Sequence, residues 1–488
     1  MFQKKTISFH VHKAMQGRMM RAGMVALLTT TALSGINNGV AFAQVVIDGG
    51  AETVNGGGGG TQASPWNVGD DLIIGDTAIG ILNVFNGGDV NSDSGNIGYT
   101  ATGNGSVGIS DAGSTWVVSG EISVGEQGTG AMTVSSGSIV SSGTGIVGNA
   151  AASVGTVMIT DAGSAWNVTG ALIVGWEGNG DIEVSNGGVV TSATGTIGRD
   201  SGNYGEVTVN GAGSAWNVGT LGLTVGSSGE GVLNIEDGGA VTVADDSFTV
   251  GTASSGEGTV NMTNGSMLDI SATTSARVGW NGDGTMNVTD STVDAAAVTV
   301  GYGSDLTGTV IVSGNMAAWN GTDLTIGLSG NGIGIFTAQN QATVSLTGGI
   351  TLGSNPNADG TLTVDNATVT SAAPLVADNY GNGHVTVQNG GTLVSGDGFD
   401  SATLGSSANG TGSVTVTGSG STWTANGYLR VGGEGTGTLD ILDSALVSVT
   451  DETLIGDEIT GTGTVTVDDA TLNAGNILVG NDGTGTMM

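Results

Sequence analysis

The 488-residue chain contains no cysteine, three prolines and only eight lysines and arginines together. Without cysteine there is no disulfide framework, no thiolate metal site and no cysteine nucleophile. The near-absence of proline, with no strict Gly-X-Y period, removes collagen. The scarcity of cations removes nucleic acid as a partner, because neutralising phosphates requires clustered Lys and Arg. What the chain has instead is 94 glycines and 43 acids, for a net charge of −35. Hydrophobic residues make up 38% and mean hydropathy is positive, which argues against a charge-swollen disordered polymer.

Five of the cations lie at the very start: Lys4, Lys5, Lys13, Arg18 and Arg21. No acid precedes Asp48. The cationic stretch leads into an apolar run from Met24 to Leu33, and Ala41-Phe42-Ala43 supplies an A-x-A cleavage pattern before Gln44. Residues 1–43 therefore read as an extended secretory signal peptide, cut between Ala43 and Gln44 and handed to the Sec export machinery. Its apolar part is too short and interrupted to span a bilayer. Without it, residues 44–488 hold three cations (Arg199, Arg277, Arg430), one histidine (His384), no lysine and a formal charge of −40.

The rest is repetitive. Trp66, Trp116, Trp166 and Trp216 are spaced by 50, and Trp319 and Trp423 follow at about twice that interval. Gly-Ser-x-Trp recurs at Gly113–Trp116, Gly163–Trp166, Gly213–Trp216 and Gly420–Trp423. Val-Gly anchors, as at Val124, Val174, Val225, Val278, Val431 and Val479, divide the 50-residue period into units of about 25. Within each unit apolar and polar residues alternate, as in Gly205-Glu-Val-Thr-Val209, and glycine breaks follow. Period two with abundant Val and Thr specifies strands rather than helices. Short strands on a fixed 25-residue period predict an all-β, right-handed parallel β-helix (a β-solenoid) of about 17 coils, whose corners consume the glycine. Residues 44–65, with the run Gly56–Gly60, form an N-terminal cap or Gly-rich segment, and 66–488 the solenoid.

The repeated residues read as structural. Trp116 and Val118 share a strand face, as do Trp166 with Val168 and Trp216 with Val218, so the indoles belong with the valines inside. Trp176 and Trp280 follow a Val-Gly anchor and are the better candidates for exposure. The Gly-rich turns lack the Lys-Ser/Thr of a phosphate-binding loop. The acids Asp70-Asp71, Asp111, Asp161, Asp245-Asp246 and Asp468-Asp469 are dispersed, and neighbours on a strand point to opposite faces, so none forms an evident catalytic dyad. EF-hand spacing is missing, and the reading calls for no cofactor and no metal. His384 has no repeated partner and reads as an exposed structural residue.

Units such as Asn167-Val-Thr-Gly-Ala-Leu-Ile-Val-Gly-Trp-Glu-Gly-Asn-Gly-Asp-Ile-Glu-Val184, with Gly-Ser-x-Trp before them, resemble the repeats of autotransporter (type V secretion) passengers. The same repeat also occurs in proteins carrying a C-terminal Pro-Glu-Pro sorting signal. The resemblance covers about residues 66–488, and the long signal peptide agrees with it. It implies a Gram-negative exported protein whose β-helical passenger projects from the outer membrane as an adhesin-like rod. The implied partner is a surface ligand, a glycan or a protein of a host or neighbouring cell. Such proteins end in a β-barrel translocator, and no strand pattern of that kind follows Gly483-Thr-Gly-Thr-Met-Met488, so the passenger reads as truncated and its membrane attachment as resting on a barrel missing from the chain. Expected localisation is the cell surface, outer membrane or extracellular space, or the periplasm for a truncated product. A non-enzymatic adhesion rod leads; a polysaccharide-active β-helix enzyme and a purely structural stalk are the alternatives.

Overall fold

A computed structural model describes residues 44–303, 306–396, 398 and 400–488. The expected signal peptide and Ala43 fall outside these residues; Gln44 is the first within them.

Three short strands make each coil. In one coil Ala171–Val174 is followed by Asn179–Ser185 and Val189–Ser192, and the chain re-enters the first ladder at Thr194–Ile197. Every strand pairs in parallel with its equivalent one coil away, for example Ile182 with Val207 and Trp166 with Val190. The result is a parallel β-solenoid of about 18 turns, about 25 residues each, with no helix among the described residues. The extra coil beyond 17 arises at the N-terminus. Val45–Ile47 and Gly50–Asn55, ahead of the first anchor at Ile74, already pair in register with Leu72–Ile74 and Gly80–Phe85. At about 4.8 Å per coil the solenoid is about 85 Å long.

Alternation puts one residue set inside. Along Tyr204–Asn210, Gly205, Val207 and Val209 are buried while their neighbours are partly exposed. The core is a continuous column of Val, Ile and Leu with Trp116, Trp166, Trp216, Trp319 and Trp423 among its largest members. Corners are sharp for two reasons. At Asn186-Gly187 both residues have positive φ (52° and 86°), the turn chemistry that in antiparallel proteins makes hairpins. At each Val-Gly anchor the glycine again has positive φ, and the next coil's backbone presses on it: a Cβ on Gly175 would lie 2.4 Å from the Tyr204 carbonyl oxygen.

Candidate functional site

The tryptophans face inward. Trp116, Trp166, Trp216 and Trp423 are fully buried, and each indole N–H donates to a serine one coil below at 3.1 Å: Ser92, Ser142, Ser192 and Ser395 respectively. Buried indoles need such an acceptor. A second condition accompanies the first three. Gly95, Gly145 and Gly195 sit where any Cβ would come within 2.6 Å of the indole above. In these three coils the indole sits over both a glycine and a serine of the coil beneath, whereas beneath Trp423 the glycine's register position is taken by Ala402. The intervening coils carry valine at the tryptophan position, Val90, Val140 and Val190, so indole and valine alternate over the 50-residue period. Trp319 meets Ala295 and Val298 at these places, and its ring packs edge-on against Phe336 at 5.5 Å. Trp66, on the first rung, is partly buried. None of the six forms an outward aromatic ladder.

The Gly-Ser-x-Trp serine ties coils together. Ser114, Ser164, Ser214 and Ser421 are buried, and their hydroxyls accept backbone N–H groups of Gly87, Gly137, Gly187 and Gly390 at 2.9–3.0 Å. Asp111 and Asp161 do likewise, accepting the N–H groups of Asn86 and Ser136 at 3.2 and 3.1 Å. Asp71 accepts the Ser94 hydroxyl at 2.6 Å. These repeated acids and hydroxyls are staples of the corners, one coil to the next.

Two constellations resemble catalytic ones. On the exposed long-strand face Asp181 stacks in register with Glu206, about 4.8 Å apart by ladder spacing, close to a retaining carboxylate pair. Burial, then Glu206 and Glu183, push the Asp181 carboxyl up, and the Tyr204 hydroxyl donates to Glu206 at 2.8 Å. The pair lies on the solvent-facing side of the long-strand sheet. Further along, His384 Nδ1 is 2.8 Å from Ser413 Oγ, and its Nε2 is 3.9 Å from Asp359 Oδ1. Stacking thus gives His384 a partner 29 residues away that linear sequence hid. Ser413 lies mid-strand, between the Asn382–Gln388 and Thr436–Leu442 strands, where backbone N–H groups are spent on the ladder. The backbone N–H groups of this strand are therefore not free to hold an oxyanion. Both His384 and Asp359 are nearly half exposed, so His384 is a surface residue.

One anchor breaks the rule. From Gly75 to Gly480 every coil carries the positive-φ glycine except where Asp378 follows Ala377. Asp378 keeps the conformation (φ 83°), is wholly buried, and neither carboxylate oxygen has a hydrogen-bond partner. Burial pushes its carboxyl up to about 7, and the Ser406 backbone N–H, outside hydrogen-bonding geometry, pulls the other way. The signal was present in the sequence as the single anchor without glycine.

Arginine and aromatic residues gather on the corner beside the anchors. Arg199 covers the Trp176 ring at 4.0 Å, and Arg277 lies 4.5 Å from Trp280 and 5.5 Å from Tyr302. Trp176 and Trp280 are half-buried, unlike the five repeat tryptophans of the core, Trp116, Trp166, Trp216, Trp319 and Trp423. Near the N-terminal end an apolar depression of 550 Å³ is lined by Gly49, Gly50, Ala51, Ala78, Ile79 and Ile81, without converging polar groups.

No protein-family model matches this chain, and no curated protein matches it. Among solved structures it is similar to the TibC-catalysed, hyper-glycosylated TibA55-350 fragment, with 16% identity and a TM-score of 0.31 over 85% of this chain and 98% of that one.

Proposed function

We propose that this chain is a non-catalytic, exported rod displayed at a cell surface, where it mediates adhesion or a comparable surface interaction. The observation that carries the reading is the use made of its polar groups. The repeated aspartates and serines, the residues from which a catalytic site would be assembled, are engaged between coils. What they build is a long scaffold presenting flat outward faces. Export rests on the cationic-apolar leader ending at Ala43, and the acidic exterior of residues 44–488 suits a solvated surface.

Beads coated with the purified protein test the proposal. Attachment to cells or glycan-coated surfaces above that of uncoated beads is the expected result. Cleavage of a polysaccharide panel by the same preparation, abolished in Glu206→Gln, would replace it with the enzymatic reading. Protection of the chain from protease added to intact producing cells would remove surface display.

A further inference from the structure

Three arginines serve 43 acids, so each of those three is surrounded by potential partners. Arg430 takes one, lying 3.0 Å from Asp457, and Arg199 lies 3.9 Å from Asp200. Arg277 is different. Among the described residues no carboxylate lies within ion-pair distance of it. Its in-register neighbours are Thr249 below and Thr299 above, and its Nη1 donates only to Ser275 Oγ at 3.3 Å. Around it stand two aromatic rings, Trp280 and Tyr302, set edge to face at 6.3 Å and 87°. Among the described residues, then, this cation has aromatic rings beside it and no acid in ion-pair range.

The chemistry of such a group is specific. A guanidinium held against aromatic faces keeps its planar fork fixed, with N–H groups free in the plane for two parallel bonds to a carboxylate. Indole and phenol rings beside it supply an apolar body at the same height. A pyranose bearing a carboxylate presents both features: a C–H face that packs on an aromatic ring and an anion at the ring edge. The repulsion of distant acids is screened beyond about 8 Å at physiological ionic strength, so the immediate surroundings decide.

Resting on the adhesive reading above, we propose that Arg277, Trp280 and Tyr302 form a binding site for a carboxylate-bearing sugar of a polysaccharide, with Arg277 gripping the carboxylate, one of the two perpendicular rings bearing the sugar face and the other flanking its edge. What matters is that no carboxylate of the described residues engages this one. Arg199 is the internal comparison, since its guanidinium is shared between Trp176 and Asp200.

The test uses purified protein, an oligogalacturonate as probe and a neutral malto-oligosaccharide of equal length, followed by calorimetry and tryptophan fluorescence. Oligogalacturonate binding that weakens with added salt is expected. Arg277→Gln should weaken it at least about tenfold, about 1.4 kcal/mol. Arg277→Lys, which keeps the charge and loses the fork, should restore only part. Trp280→Leu should weaken it and remove the fluorescence response, and Arg199→Gln should leave it nearly unchanged. Circular dichroism of each variant checks that the strands remain. Three results overturn the site: equal binding of the neutral sugar, unchanged affinity in Arg277→Gln, or no uronate binding by the parent protein. If coated beads still attach to cells while uronate binding is absent, only this site fails; if they do not attach either, the adhesive reading fails with it.

Discussion

The indole N–H of Trp166 donates to Ser142 Oγ at 3.1 Å, across 24 residues of sequence and one coil of solenoid. Directly beneath the same ring lies Gly145, where a Cβ would stand 2.6 Å from Trp166 Cζ2 and 3.0 Å from Leu172 Cδ1. Ser142→Ala leaves a buried donor unmet and should cost about 1–2 kcal/mol. Gly145→Ala forces the ring to move and should cost about 2–3 kcal/mol. Trp166→Leu alone opens a cavity, but combined with Gly145→Ala it should cost less than the sum of the two, with a coupling of about 1 kcal/mol or more. Urea unfolding of the four proteins measures that coupling, and strict additivity would refute the steric link between the indole and the glycine beneath it.

Two glycines separate the demands of conformation from those of space. Gly202 has φ 83° and nothing within 4 Å of a built Cβ; Gly175 has φ 72° and the Tyr204 backbone at 2.4 Å. Gly202→Ala should therefore cost only the left-handed backbone penalty, about 1 kcal/mol. Gly175→Ala adds a backbone clash that no rotamer relieves, and should cost about 3 kcal/mol or more. Equal losses in denaturation midpoint would mean that neighbouring coils separate easily.

The fold was legible because its signals are local and repeated. The alternation around Val207 and Val209, the anchors and the turn glycines all state the same coil many times over. Parity of Trp166 with Val168 was enough to place the indole inside. The partners of those residues were not legible in the same way, since Ser142 and Gly145 become neighbours of Trp166 only after register is known, at separations of 24 and 21 residues. His384 shows the same limit: Ser413 is 29 residues away because the intervening coil is longer than most. Asp378 was open to view as the one anchor without glycine, but its burial follows only from the packing of the coils on either side.

Asp161 offers a prediction that distinguishes a staple from a catalyst. Its Oδ2 accepts the Ser136 N–H at 3.1 Å. Asp161→Asn retains an amide oxygen as acceptor and should change stability by a few tenths of a kcal/mol, whereas Asp161→Ala should lose about 1 kcal/mol. Neither should alter the attachment of coated beads at temperatures well below unfolding. Loss of attachment in the folded asparagine variant would assign the carboxylate a role beyond the corner.

Asp378 sets a pH dependence whose sign is unusual for an acidic protein. Its carboxyl is raised from 3.8 to about 7 in the fold by burial. Below about pH 4 both folded and unfolded chains hold the proton, and the residue contributes no difference. Between about pH 4 and 7 the unfolded chain releases it while the folded chain keeps it, so the folded state binds more protons and stability falls as pH rises. Above about 7 both are ionised and the loss levels off, at up to about 4 kcal/mol. Asp76, Glu121 and Asp181 are raised as well, by burial first and by nearby acids second, and push in the same direction. They remain in an Asp378→Gly variant, so the difference between variant and parent isolates this one carboxyl. Asp378→Gly restores the residue that every other anchor from Gly75 to Gly480 carries, and relieves a left-handed backbone as well. It should stabilise the protein by about 1 kcal/mol at pH 4 and by several at pH 8, read from urea midpoints across the range. Asp378→Asn, which cannot ionise but keeps the strained backbone, should remove the pH-dependent part alone. A stability difference between Asp378→Gly and the parent that stays constant from pH 4 to 8 would show that the carboxyl is hydrated and ionised within the fold.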